Sequence, residues 1–221
     1  MKYNAIIFDL DGTLLESTAD HIDWIYECCE QALEAQNIDS SFSREELGKL
    51  LGMDGYSEYI SFCELAEVDP EEHWQIVTEL RHLRKLEMLE NNNLDLYPEA
   101  KENIKKLHEN GFKIGLVSNA PDQTVNEVMK FFGLKKYIEY YRGISNHEDL
   151  KHRKPSARNL QIAAADLGRE PNVYVGNKKK DVESAKNADM DSIIIKRDNT
   201  VLDANPDILV ENLTEISSRI T

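Results

Sequence analysis

Apolar residues recur along this chain in two rhythms. Short runs rich in β-branched residues stand at Tyr3–Phe8, Phe112–Val117, Ile138–Ile144, Asn172–Val175 and Ser192–Ile195, with a shorter one at Ile208–Val210. Between most of them the apolar positions fall every three or four residues, the spacing of one helix face. These stretches are Pro98–Asn110, Gln123–Phe132, Ser156–Leu167 and Asp181–Ala188, and Gly111 and Gly133 follow two of them in a helix-ending position. Short apolar runs alternating with helices predict a parallel sheet covered on both faces, because each crossover lays a helix on the sheet. Ile208–Val210 fits an edge strand.

The first interval breaks this alternation. From Ser17 to Leu94 no strand pattern appears, but helical patterns do. Ala19–Gln36 carries Ile22, Ile25, Tyr26, Cys29 and Leu33 at helical spacing, and further helices fit Ser57–Ala66 and Pro70–Asn91. Ser43-Arg44-Glu45-Glu46 has the form of a capping box, a serine and a glutamate that satisfy each other's backbone amides at a helix start. A connection this long needs a small core of its own. The expected architecture is α/β: a Rossmann-like three-layer core with a parallel sheet, from residues 1–16 and 95–221, plus an inserted all-helical cap domain at 17–94. The linkers fall near Glu16–Thr18 and Asn93–Tyr97. Trp24, Tyr59, Phe62 and Trp74 read as the core of the insert, and His21, His73 and His82 as surface residues. The two glycines of Leu51-Gly52-Met53-Asp54-Gly55-Tyr56 mark a loop that either faces a substrate or simply turns between helices.

Charge narrows the function. Lys and Arg number 26 against 41 Asp and Glu, a net charge of −15. Such a surface repels phosphate backbones, so nucleic acid is not an expected partner. A site for a phosphorylated ligand then requires concentrated local positive charge. Lys151-His152-Arg153-Lys154 and Lys178-Lys179-Lys180 stand out for that reason. No apolar run reaches membrane-spanning length, and the first one ends at Asp9, too short for a secretion signal. Cys28, Cys29 and Cys63 have no metal-binding spacing and fit reduced thiols, so a cytoplasmic protein is expected.

The sharpest chemical signal is Asp9-Leu10-Asp11-Gly12-Thr13, directly after the first strand. The C-terminal end of a strand is where open α/β sheets hold ligands. Of two carboxylates two residues apart, one can attack phosphorus while the other gives and takes a proton. Gly12 lets backbone amides approach an anion closely.

With Val117-Ser118-Asn119, Lys154-Pro155 and Val175-Gly176-Asn177-Lys178-Lys179-Lys180-Asp181 following in order, the chain resembles the haloacid dehalogenase-like phosphohydrolases over nearly its whole length. The resemblance implies a phosphatase with Asp9 as nucleophile, Asp11 as general acid/base, and Ser118 and Lys154 completing the catalytic set. Gly12, Thr13, Ser118, Asn119 and Lys154 are the implied contacts to substrate. Asp9, Asp11 through its backbone carbonyl, Asn177 and Asp181 are the implied ligands of Mg²⁺. The family usually has Asp where Asn177 stands; an amide oxygen still binds Mg²⁺ but brings no charge. Either Asn177 and Asp181 share the task in a working enzyme, or the chain binds phosphorylated ligands without turning them over. The insert's position matches the helical-cap, phosphoglycolate phosphatase-like type, which implies a small phosphorylated metabolite as partner and a monomer or homodimer. Asp11 argues against a dehalogenase, and Thr13 only mildly against a sugar-phosphate mutase of β-phosphoglucomutase type.

Overall fold

The computed structural model describes residues 2–16, 22–38, 41–168, 171–197 and 202–220. Six strands form one sheet: β1 (Ala5–Phe8), β2 (Lys113–Pro121), β3 (Tyr140–Ile144), β4 (Asn172–Gly176), β5 (Asp191–Ile195) and β6 (Ile208–Val210). Their order is β3-β2-β1-β4-β5-β6 and every pairing is parallel. All five longer apolar runs contain strands, and Ile208–Val210 is the edge strand. β2 runs four residues beyond its apolar run because its pairing with β3 shifts between Val117 and Pro121. Such an irregularity re-aims side chains at a strand end, and here it carries Ser118 and Asn119.

The alternation along β1 explains the layers. Ile6 and Phe8 point into a cluster with Ile104, Val125 and Ile216, from α5 (Ala100–Glu109), α6 (Asp122–Phe131) and α9 (Ile216–Ile220). Ala5 and Ile7 face Leu160, Ala163 and Ala185, from α7 (Arg158–Leu167) and α8 (Lys179–Asn187). Both faces of β1 are therefore buried, which is why it reads as a continuous apolar run.

Residues 22–94 hold four helices: α1 (Asp23–Ala35), α2 (Arg44–Leu50), α3 (Tyr56–Leu65) and α4 (Pro70–Glu90). The capping box at Ser43 and Glu46 is formed. α4 starts with Pro70 in its first turn behind the cap Asp69, whose side chain accepts the amide of Glu72 at 2.9 Å. The insert has its own apolar cluster, in which Cys29, Leu33, Leu50, Tyr59 and Trp74 meet Ile144 and Leu150 of the sheet-bearing part. Ala19, His21 and the linker residues Ser17 and Thr18 lie outside the described residues. Two expectations for the insert fail. His73 is fully buried, not on the surface, with Nδ1 3.0 Å from Gln36 Nε2. Trp24 is only half-buried and lines a cleft. His73, Trp74, Val77 and Thr78 are all buried, so the covered face of α4 is broad enough to take in His73, which periodicity alone does not reveal.

Candidate functional site

The site lies at the C-terminal edge of the sheet, where β1 separates strands that wind in opposite directions. Asp9 follows β1 and its amide donates to the Val175 carbonyl of β4 at 2.8 Å. The chain then turns sharply: Gly12 has φ +81°, a left-handed conformation that favours glycine. A Cβ at Gly12 would collide with the Asn177 side-chain amide, so the turn and the loop after β4 pack directly together. A Cβ at Gly176 would likewise meet the Asp181 carboxylate.

Lys154 sits at the centre. Its side chain is 1% exposed, those of Asp9 and Asp181 6% and 0%. An ammonium has three hydrogens to place, and three oxygens receive them. Asp9 Oδ1 and Asp181 Oδ1 lie 2.7 Å from Nζ, and the Tyr174 hydroxyl lies at 2.6 Å. Tyr174 in turn donates to the Val117 carbonyl at 3.1 Å. Asp181 Oδ2 accepts the amides of Asn177 and Lys178 at 3.1 and 2.9 Å, so both its oxygens are engaged. A buried ion group of this kind is tolerable only when every partner is satisfied.

The electrostatics follow. Burial raises the Asp9 carboxyl, against the pull of Lys154. Burial acts in the same sense on Asp181, but Lys154 and Lys180 outweigh it and hold that carboxyl low. On Lys154 burial is the largest influence and favours the neutral amine, yet the two aspartates keep its pKa above the usual lysine value.

Ser118 is buried, its Oγ accepting the Ala120 amide at 3.1 Å, and it borders the cleft. The Asn119 side chain brackets the Lys154 backbone, accepting its amide at 2.8 Å and donating to its carbonyl at 3.2 Å. Thr13 is fully buried with no hydrogen bond to its hydroxyl, behind the turn and not among the residues lining the cleft. Asn177 Oδ1 is buried without a hydrogen-bond partner. Asp11 keeps 42% of its side chain exposed, toward the cleft, where Lys85 of α4 holds it at 2.5 Å. Burial pushes Asp11 up, but Lys85 prevails and holds it below the usual carboxylate range.

The cleft between insert and sheet has a volume of about 190 Å³. Asp9 and Asp11 border it together with five cations: Arg81, Lys85, Arg153, Lys178 and Lys180. The local positive charge that the acidic composition demands is thus present, and the two basic runs supply three of its members. The sequence reading missed Arg81 and Lys85. They stand four residues apart on α4, one turn along the same face, but a cation pair on a helix looks the same whether it faces water or a cleft. Leu51 and Met53 also line the cleft, so the Leu51–Tyr56 loop reaches it.

No group of three or more His, Cys, Asp or Glu side chains suited to a metal forms among the described residues. A cation would rest on a mixed oxygen set, and the unpartnered Asn177 oxygen, on a side chain packed against the Gly12 turn that follows Asp9, fits a hard ion such as Mg²⁺. No helix among the described residues is long and apolar enough to cross a membrane.

The chain is similar to known proteins over most of its length. The chain is 30% identical over 184 residues to a phosphoglycolate phosphatase of Cereibacter sphaeroides, covering 83% of this chain and 80% of that protein. It is 24% identical over 225 residues to the pyrophosphatase PpaX of Oceanobacillus iheyensis, covering 98% and 96%. In fold it is similar to the crystal structure of CbbY from Rhodobacter sphaeroides in complex with phosphate, at a TM-score of 0.72 and 20% identity over 97% of this chain and 96% of that one. The model of the haloacid dehalogenase-like hydrolases matches residues 6–195, and the chain belongs to that family.

Proposed function

We propose that this hydrolase is a phosphatase that cleaves a small phosphate monoester through an aspartyl-phosphate on Asp9. The observation that carries the reading is the Lys154 ammonium bridging Asp9 and Asp181 at 2.7 Å each, with Asp11 on the open side of the same turn. Lys154 fixes one Asp9 oxygen and leaves the other free to attack. As that oxygen bonds to phosphorus, the ester P–O bond breaks and the leaving oxygen takes a proton from Asp11. Asp11 then takes a proton from water, whose oxygen attacks the same phosphorus, releasing phosphate and restoring the Asp9 carboxylate. The Ser118 hydroxyl and the Asn119 amide hold phosphoryl oxygens. Asp181, with both oxygens engaged, orients Lys154 and the loop of Asn177.

In this reading the Asp9 carboxylate, the Asp11 carbonyl and the Asn177 side-chain oxygen hold Mg²⁺, backed by Asp181. When bound, the ion offsets the repulsion between a carboxylate and a phosphoryl group. The insert acts as a cap: Lys85 reaches from α4 to Asp11 and keeps it charged, the state that accepts a proton from water. Proton donation in the first step requires Lys85 to withdraw, so substrate binding and cap movement are linked. The cleft volume of about 190 Å³ is below the usual range for drug-sized ligands and suits a metabolite of a few carbons. The names of the relatives, a phosphoglycolate phosphatase and a pyrophosphatase, support the same substrate size.

The test is phosphate release from a panel of small esters, with Mg²⁺ and with EDTA, beside an Asp9→Asn control. Release that needs Mg²⁺ and vanishes in the control is the expected result. A folded protein that releases nothing from any ester would replace the phosphatase by a phosphometabolite-binding module. Gain of turnover in Asn177→Asp would then identify the amide as the cause.

A further inference from the structure

Three donors in the cleft have no part in the chemistry just described. Trp24 of α1, Arg81 of α4 and Arg153 of the loop before Lys154 all line it. The Trp24 Nε1, the Arg81 Nε and both Nε and Nη1 of Arg153 are buried and have no hydrogen-bond partner. Neither arginine forms an ion pair with any described residue. Both side chains are half-buried, and leaving covered N–H groups unmet is expensive; here two such arginines share one small cleft. Burial and the like charge of Arg81 pull Arg153 down to about 10. The carboxylates nearest in effect, Asp11 for Arg81 and Asp54 for Arg153, act at a distance and form no ion pair with them; an anion between the two arginines would meet these donors.

We propose that Arg81, Arg153 and the Trp24 indole N–H form a second anion subsite in the cleft, so that the substrate carries a second anionic group besides the phosphoryl group it loses. The subsite rests on the phosphatase reading for its neighbour but not for its own geometry. Chain positions set its place. Arg153 adjoins Lys154, whose ammonium is 2.7 Å from Asp9. Arg81 lies one helical turn, about 6 Å, from Lys85, whose ammonium holds Asp11. The second anion therefore sits a few bonds from the scissile phosphoryl. A guanidinium fork and an indole N–H match the planar oxygens of a carboxylate and equally the oxygens of a second phosphate. An uncharged hydroxyl or alkyl tail leaves these donors unmet.

The experiment compares three esters of one short backbone: 2-phosphoglycolate, ethylene glycol bisphosphate and ethyl phosphate. Their affinities for the Asp9→Asn protein are measured by calorimetry, and kcat/KM is measured on the active protein. The subsite predicts that one or both doubly anionic esters bind at least about tenfold more tightly than ethyl phosphate, as expected for a charge-assisted hydrogen bond. Which one leads separates carboxylate from phosphate. Arg153→Gln and Arg81→Gln each reduce that preference about tenfold or more, and Arg153→Lys restores part of it. Without ligand the two Gln variants unfold at the same temperature as the parent or higher, because covered, unmet donors and the repulsion between two like charges have gone. A structural role for the arginines predicts the opposite shift. Equal affinity for all three esters, or a preference that survives both Gln substitutions, overturns the proposal. Should no ester be hydrolysed, the phosphatase reading fails while calorimetry still decides the subsite.

Discussion

Lys154 shows how much a single side chain can organise: three hydrogens, three oxygens, and two buried carboxylates tied to one ammonium. Tyr174 supplies the one neutral partner. Tyr174→Phe leaves an ammonium hydrogen unmet in a buried place, which costs about 1–3 kcal/mol of stability. Phosphate release should show kcat reduced about tenfold with KM little changed, an energy of about 1.4 kcal/mol in the reaction barrier; denaturant titration measures the stability. His73 offers a test without any link to catalysis. Burial pulls its pKa to about 4, below the ordinary value of about 6.5 in the unfolded chain. The unfolded chain thus binds the extra proton first as pH falls. The stability His73 contributes is fully present above pH about 6.5 and is lost as pH drops toward 4, by about 3 kcal/mol. Unfolding midpoints measured from pH 7.5 to 4 should show this slope, and His73→Gln should flatten it. The residue scale is also where sequence reading misjudged burial: His73 and Trp24 have the same helical phase as many solvent-facing residues, and only the packing of α4 against its neighbours shows which are covered.

At the scale of elements the sequence was highly legible. Each apolar run became a strand and each helical pattern a helix, with ends moved by no more than two residues where they are described, except the end of β2, which moves by four. The reason is local. Ser43 and Glu46, Pro70 behind Asp69, and the left-handed Gly111 and Gly133 satisfy or end a helix within a few residues of chain. Ser43→Ala removes one half of the α2 capping box and should cost about 1 kcal/mol, read as a lower unfolding midpoint; Ser43→Asp, which caps equally well, should not. The extension of β2 through Ser118 and Asn119 escaped notice because a pairing shift depends on the neighbouring strand.

For the whole molecule, the decisive contact is that between insert and sheet. Lys85 joins Asp11 at 2.5 Å, while Gln123 of α6 donates to Glu79 of α4 at 3.1 Å. Lys85→Met removes the charge that holds the Asp11 carboxyl low. Its pKa then rises, so the acid limb of the kcat–pH profile, set by Asp11 as base, should move to higher pH. An unchanged limb in a folded, active variant would detach Lys85 from the proton transfers. The chain's −15 charge also takes on meaning only here, since five scattered cations converge on one cleft.

By itself the sequence determined the alternating elements, the helical interruption after the first strand, and the family, because these are written in local periodicity and in motifs a few residues long. It also brought Asp9, Ser118, Lys154 and Asp181 together in expectation, through the resemblance of its four ordered motifs to those of the family. Only the tertiary structure decided which cations face the cleft, that the Asp181 oxygens are consumed by Lys154 and two amides, and that Thr13 lies behind the site. Those outcomes depend on contacts between residues far apart in the chain, where neither spacing nor residue type records which side of an element meets another.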